Sequence, residues 1–426
     1  MASMFVQLHS QGVACCLVDP HSDLALDCLR GLLDRGYFAS PGAFDRLLYV
    51  DFRRTDAFLP FNVLDQPYPD HAVADWLVEV CARAWPALGG GAAPTFENLV
   101  RHATVLLRQN GRLPLTQLAR VLTDRPYREG LLAGVSDPQV HRFFRDRVDR
   151  WGREAALMKE SALNRADLLT FHPTLRYSLG QRRNALDFRA LMDGQVSLIV
   201  NLGGLPEQVQ RFLGAFICHG FEVAALSRAD LPPSRRTHYE LFLDEFSMFC
   251  SQTESGLARI LSLCRKYGLF LTMAHQTFSQ VSERMAGALQ NAVTVGFRMG
   301  RADAEWAARR FGRFAEGEVK HEVADPLAQD RTHPVYVGLA EQAERWVKTI
   351  EDLERGQAYV RLGPATTRIH TRILPPARAG DDELAAVAER YARSLMVPAT
   401  TVVPEVDDGA RPAPEPTPLP RRAPAG

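Results

Sequence analysis

Residues 238–246 read His238-Tyr-Glu-Leu-Phe-Leu-Asp244-Glu245-Phe246, an apolar run that ends on two adjacent carboxylates. A strand covered on both faces of a parallel sheet is a near-continuous apolar run. In open parallel sheets, ligands sit outside the carboxyl ends of the strands. The stretch therefore predicts a central strand that delivers Asp244 and Glu245 to a position suited to chemistry. Magnesium takes hard oxygen donors and keeps several waters, so one aspartate can hold it through its water shell. A neighbouring glutamate can polarise a water for in-line attack on a γ-phosphate. A strand ending in a solvated acidic turn would look the same, so the surroundings have to decide.

Downstream, Leu269-Phe-Leu-Thr-Met-Ala274 is a second apolar run and ends on His275-Gln276. A glutamine there can donate and accept at once, orienting water or sensing a γ-phosphate. Upstream, Gly12 to Asp19 (GVACCLVD) stops at Asp19-Pro20, where proline removes an amide donor. Leu24 to Gly36 has helical spacing, and Arg46 to Phe52 (RLLYVDF) is another strand candidate. Strand, helix, strand implies a parallel sheet. Val196 to Leu202, Ala292 to Met299 and the pair Ala358–Leu362 and Thr367–Leu374 add strands. Helices are expected at Pro206 to Arg228, near Ser255 to Tyr267, and at Ala302 to Phe311.

Between these strand-bearing parts, residues 70–181 read as helical throughout, with breaks at Gly89-Gly90-Gly91, Asn110-Gly111 and Asp137-Pro138. The expected organisation is a first core segment over 1–69, a helical insertion over 70–181 and the rest of the core over 182–378. A short helix over 379–397 and a tail over 398–426 follow. The last 29 residues hold eight prolines and no aromatic residue, which predicts disorder. Basic clusters at Arg142 to Arg153 and at Arg182-Arg183 could line a pore, though a solvated helix face is the plainer reading.

The chain has 426 residues with 50 basic and 50 acidic side chains, so bulk positive charge does not drive binding to nucleic acid. Seven cysteines without a C-x-x-C pair fit a reducing cytoplasm rather than a disulfide or zinc framework. The longest apolar stretch, Leu213 to Leu226, is broken by His219 and Glu222, so no membrane-spanning helix is expected.

Taken in order, Val18-Asp19-Pro20-His21-Ser22-Asp23-Leu24, Phe61-Asn62-Val63-Leu64, Leu243-Asp244-Glu245-Phe246, Arg265-Lys266-Tyr267-Gly268-Leu269 and Ala274-His275-Gln276 resemble the HerA/FtsK superfamily. Asn291 to Phe311, with Phe297-Arg298 and Asp303-Ala304, is similar to its HerA- and TraG-type branch, which includes type IV secretion coupling ATPases. The resemblance spans residues 4–375. It implies an α/β, RecA-like P-loop ATPase core with a parallel sheet and an all-helical insertion, assembled as a homo-hexamer that moves DNA. The implied cofactors are ATP and Mg²⁺. Asp244 would be the magnesium-shell residue, Glu245 the catalytic base and Gln276 the γ-phosphate sensor. Asp19 and His21 would stand with Asp244 on the nucleotide side, and Arg298 or Arg301 would reach a neighbouring subunit. Implied partners are DNA and relaxosome or secretion-channel proteins. The implied location is the bacterial cytoplasm, with membrane association through an N-terminal segment or through partners.

One part of the pattern is missing. The phosphate-gripping G-x-x-x-x-G-K-[ST] loop belongs about 20 residues before the Asp19 strand end, at or before Met1. The four lysines, Lys159, Lys266, Lys320 and Lys348, follow Met, Arg, Val and Val, so none ends such a loop. Two expectations follow. Either the loop lies upstream of a late start, with Met4 to His9 the remainder of its helix, or the chain is a non-catalytic binding or scaffold subunit. The retained Asp244, Glu245 and Gln276 fit the first. No G-x-S-x-G or G-x-G-x-x-G motif supports a hydrolase or dehydrogenase reading.

Overall fold

The computed structural model describes the chain except residues 85–93, 151–159, 161–162, 165, 168–169, 250–259, 262, 278–286, 288, 290–291, 325–331, 373–374, 376 and 409–426. The helix expected near 255–267 falls largely outside the described residues, as does the end of the Arg142–Arg153 cluster. The chain forms two compact units, residues 1–274 with 377–426, and residues 275–376.

The first unit is built on helix α1 (Ala2–Ser10), strand β1 (Ala14–Asp19), helix α2 (Asp23–Leu33), β2 (Leu47–Asp51), a short β3 (Ala57–Phe58), β4 (Ser197–Asn201), β5 (Tyr239–Leu243) and β6 (Leu269–Met273). Five of these strands make a wholly parallel sheet in the order β2-β4-β1-β5-β6. The expected α/β class with a parallel core is therefore what this unit has. The strand–helix–strand reading of β1, α2 and β2 holds, but β4 sits between the two strands, arriving from beyond the helical segment.

Every residue of β1, β4 and β5 is buried, which is why these sequences carry no polar alternation. On one face α1 packs through Phe5, whose ring lies 5.9 Å from that of Phe242. On the other face lies the helix Glu207–Ser227, with the Phe221 ring 5.1 Å from Tyr239. Glu207–Asp230 is long and apolar enough to cross a membrane by length and composition. However, 78% of that window is buried, so it serves as a core helix. Two of its buried polar members pair with each other, His219 Nδ1 lying 2.7 Å from Glu222 Oε2. Helices Asp70–Ala84 and Pro94–Gln109 open the helical segment, and Trp76 stacks on Phe216 at 4.5 Å to fasten that segment to the core.

The two edges of the sheet differ. β2 lies under the helix Asp381–Leu395, whose Tyr391 is buried 6.4 Å from Tyr49. β6 pairs only with β5 among the described residues, and four of its five residues are half-buried. After Asp381–Leu395 the chain forms the helix Ala399–Asp408, where the sequence predicted disorder. Val402 is fully buried there, and a Cβ on Gly180 would lie 2.8 Å from Val406 Cγ1.

The second unit contains β7 (Thr294–Gly296), β8 (Val319–Ala324), β9 (Thr332–Tyr336), β10 (Gln357–Leu362) and β11 (Ala365–His370). An antiparallel sheet of order β11-β10-β7 packs against helices Arg301–Phe311 and Leu339–Glu351, with Phe311, Ile350 and Tyr359 in its core. Gly296 is required, because a Cβ there would meet the Phe311 ring at 2.6 Å. β8 and β9 form a separate ribbon exposed along its whole length.

Candidate functional site

The carboxyl ends of β1, β4 and β5 form one rim, and most of the expected site residues of the first unit stand on it. Asp244 directly follows β5, is half-buried, and its N–H donates to Val18 O at 3.3 Å, which holds it beside the end of β1. Burial pushes the Asp244 carboxyl above the ordinary carboxylate range. Nearby Asp19 pushes the same way, while His21 works in the opposite direction. A carboxylate desolvated and crowded by a second acid is one that a cation stabilises. Glu245 is half-buried with φ +44°, an uncommon conformation for a residue with a side chain. The Ser247 hydroxyl donates to its Oε1 at 3.2 Å. The Phe246 N–H reaches Ala274 O at 3.1 Å, which ties this turn to the end of β6.

Asp19 behaves differently. It is fully buried, with Oδ1 accepting the His21 N–H and Oδ2 the Ala25 N–H, each at 2.7 Å. Its carboxylate builds the turn into α2, and this leaves the exposed His21 on the outside of that turn. The turn passes through Ser22 at φ +79°.

Asn201 holds that turn in place, a role the sequence reading missed. It is fully buried at the end of β4; its Oδ1 accepts from Ser22 Oγ at 2.8 Å and from Gly203 N at 3.0 Å. Its Nδ2 donates to Tyr49 Oη at 3.1 Å, and Tyr49 in turn donates to Asp51 Oδ2 at 3.2 Å. Asp51 is gripped through both oxygens by Arg53. A Cβ on Gly203 would lie 2.6 Å from Ser22 N, so only glycine lets the two loops touch. A polar residue ending an apolar strand, followed by Gly203-Gly204, was the available signal.

The remaining expected residues lie in the second unit. Gln276 is exposed, three residues past the end of β6. Arg298 is exposed. Arg301 opens the helix Arg301–Phe311 and pairs with Glu305 at 3.1 Å and, through both amino groups, with Glu344 at 2.8 and 2.6 Å. Among the described residues, no group of three or more His, Cys, Asp or Glu could hold a metal ion. The donor set fits a magnesium ion held by one carboxylate through water. Residues fit to cradle a triphosphate are not found, since no lysine of the chain ends a glycine-rich loop.

Solved structures with this architecture include the unbound monoclinic form of the bacterial conjugative coupling protein TrwB. It is 16% identical over 89% of this chain and 83% of that chain, with a TM-score of 0.57. The plasmid coupling protein TrwB in complex with ADP and Mg²⁺ aligns over 87% and 82% at 16% identity, with a TM-score of 0.57. VirB4 of Thermoanaerobacter pseudethanolicus aligns over 88% and 85% at 11% identity, with a TM-score of 0.53. No family model and no curated protein sequence matches the chain. At these identities the likeness is one of fold.

Proposed function

We propose that the chain is the core of an ATP-driven DNA-transfer motor of the HerA/TraG type. In this reading Asp244 holds magnesium through water, Glu245 acts as base toward the attacking water, and Gln276 senses the γ-phosphate. The observation that carries it is the pairing on one sheet rim of a crowded Asp244, pushed above the ordinary carboxylate range, with a Glu245 held by Ser247. ATP with its Mg²⁺ would supply the phosphoryl group. Of this chain's own residues, Glu245 takes the proton from water and Asp244 orients the magnesium shell beside it. Arg298 or Arg301 would serve a neighbouring copy in a hexameric ring, with Arg301 first leaving its glutamates. Partners in the relaxosome or secretion channel, and a place at the cytoplasmic side of a membrane, belong to the same reading.

Hydrolysis needs a phosphate-gripping loop, which is not among these 426 residues. Two features favour a position for it beside Asp244. Among the described residues β6 pairs only with β5, and it carries no charge, proline or bulge, the usual means of blunting an edge, so in this reading one more parallel strand adds there. A parallel addition would end on the same rim. Helix α1 turns directly into β1 and so runs antiparallel to it, with its amino end facing that rim, where helix termini favour phosphate.

ATP hydrolysis by the protein extended through any in-frame upstream G-x-x-x-x-G-K-[ST], compared with its Glu245→Gln variant, tests the proposal. A loss of about 10²-fold or more in kcat is expected. Equal, background-level rates would instead support the second reading, a non-catalytic subunit that binds or scaffolds.

A further inference from the structure

At the end of the sheet opposite the rim, the last turn of α1 carries His9, the one side chain of that helix able to take up a proton near neutral pH. His9 is buried. Its ring stacks on Phe5, one turn back, at 6.2 Å and 18°, and meets Tyr37 edge-on at 4.7 Å. Nδ1 lies 2.8 Å from Oγ of Ser197, the first residue of β4. That oxygen already accepts the Cys15 N–H at 2.9 Å, so its own hydrogen is free to donate to Nδ1. The arrangement selects the neutral tautomer with its proton on Nε2, and Nε2 is buried without a hydrogen-bond partner. One neutral ring thus ties α1 to β4 and, through Ser197, to β1. Helix α1 adds no strand to the sheet and buries only Phe5, Val6 and His9, so it can open without breaking a strand ladder.

We propose that His9 is an acid-sensitive latch: neutral, it clamps α1 onto the sheet, and protonated, it releases the helix while the sheet stays folded. Taking a proton from solvent at Nδ1 turns the acceptor of the Ser197 hydroxyl into a second donor aimed at it. It also buries a cation facing Arg46, which stands just before β2 with its guanidinium 5.8 Å from the Tyr37 ring. A helix carboxyl end favours a cation, but burial and then Arg46 outweigh that and lower the His9 pKa to about 4. No counter-charge is at hand. Burial pushes the Tyr37 hydroxyl up to about 12 and the Cys15 thiol upward too, so both stay neutral. Among the described residues, no carboxylate on α2 or β5 acts on the ring. In the opened helix His9 returns to an ordinary pKa of about 6.5. Opening is therefore insensitive to pH above about 6.5 and grows about tenfold per pH unit from there down to about 4.

The test is amide hydrogen exchange of the full chain between about pH 7 and about pH 5, corrected for the intrinsic pH dependence of exchange. The amides of Phe5 and Gln11, bonded to Met1 O and Gln7 O, should lose about twentyfold in protection over that range. At about pH 5 they should exchange at least about tenfold faster than the amides of Leu198 and Leu241 in the sheet. In His9→Gln, which keeps a polar side chain but cannot take the proton, the loss should be less than about twofold. If that variant folds poorly, the wild type alone carries the test, because its log protection against pH should break near about 6.5 and fall with a slope of about one below it. Protection that stays flat in the wild type, an equal loss in His9→Gln, or exchange of α1 and the sheet at one common rate overturns the proposal. No nucleotide enters the experiment, so the result is independent of whether the ATPase reading stands.

Discussion

Asp19 and Asp244 close two neighbouring parallel strands, and each follows an unbroken apolar run. Their environments nevertheless assign them opposite tasks. Asp19 is sealed in, each oxygen taken by a backbone N–H, so it acts as part of the turn into α2. Asp244 stays half-buried, and burial and Asp19 itself push its pKa upward against the opposing pull of His21 and the Glu245 N–H. One aspartate stabilises the loop, while the other is held in a state that a cation would relieve. A strand-end aspartate is therefore a candidate for chemistry only when its lone pairs are not already engaged.

The sharpest way to break this contrast is Asp19→Ala. It would leave two inward-facing amides without partners and should cost about 3 kcal/mol in urea unfolding. A cost near zero would show that the turn does not depend on Asp19. Next comes Gly203→Ala, whose Cβ would meet the Ser22 backbone at 2.6 Å. Neither loop can yield cheaply, so a loss of about 2 kcal/mol is expected; unchanged stability would show that the two loops are not locked.

The smallest effect has the opposite sign. A carboxyl raised in the folded state disfavours folding once pH exceeds its unfolded pKa. Asp244→Asn should therefore stabilise the chain at pH 7 by roughly 0.5 kcal/mol. That gain should fade below about pH 4, where the carboxyl is protonated in both states. A destabilised variant at pH 7 would place Asp244 in the same structural class as Asp19.

The sequence made much of this architecture legible, and the reason is local. β1, β4 and β5 are buried on both faces, so their runs are unbroken, and helices such as Arg301–Phe311 and Asp381–Leu395 show one apolar side. Less visible was the helix Ala399–Asp408. Its threonines, valines and internal Pro404 disfavour helix, and burial of Val402 against the core outweighs that propensity. The exposed ribbon of β8 and β9 also gave little warning, because Val319 to Ala324 has neither face buried and hence no alternation to read.

For the site, the amino-acid sequence alone determined which chemical groups are present: the Asp244–Glu245 pair at a strand end, Gln276 after the next, and no lysine on a glycine-rich loop. Those are properties of residue type and order. Only the tertiary structure decided that β4 inserts between β2 and β1, bringing Asn201 against Ser22, and that Asn62 joins Arg112 to Arg182. Each of these contacts links residues far apart in the chain. Several of their partners are backbone amides and carbonyls, which every residue carries and no sequence pattern distinguishes.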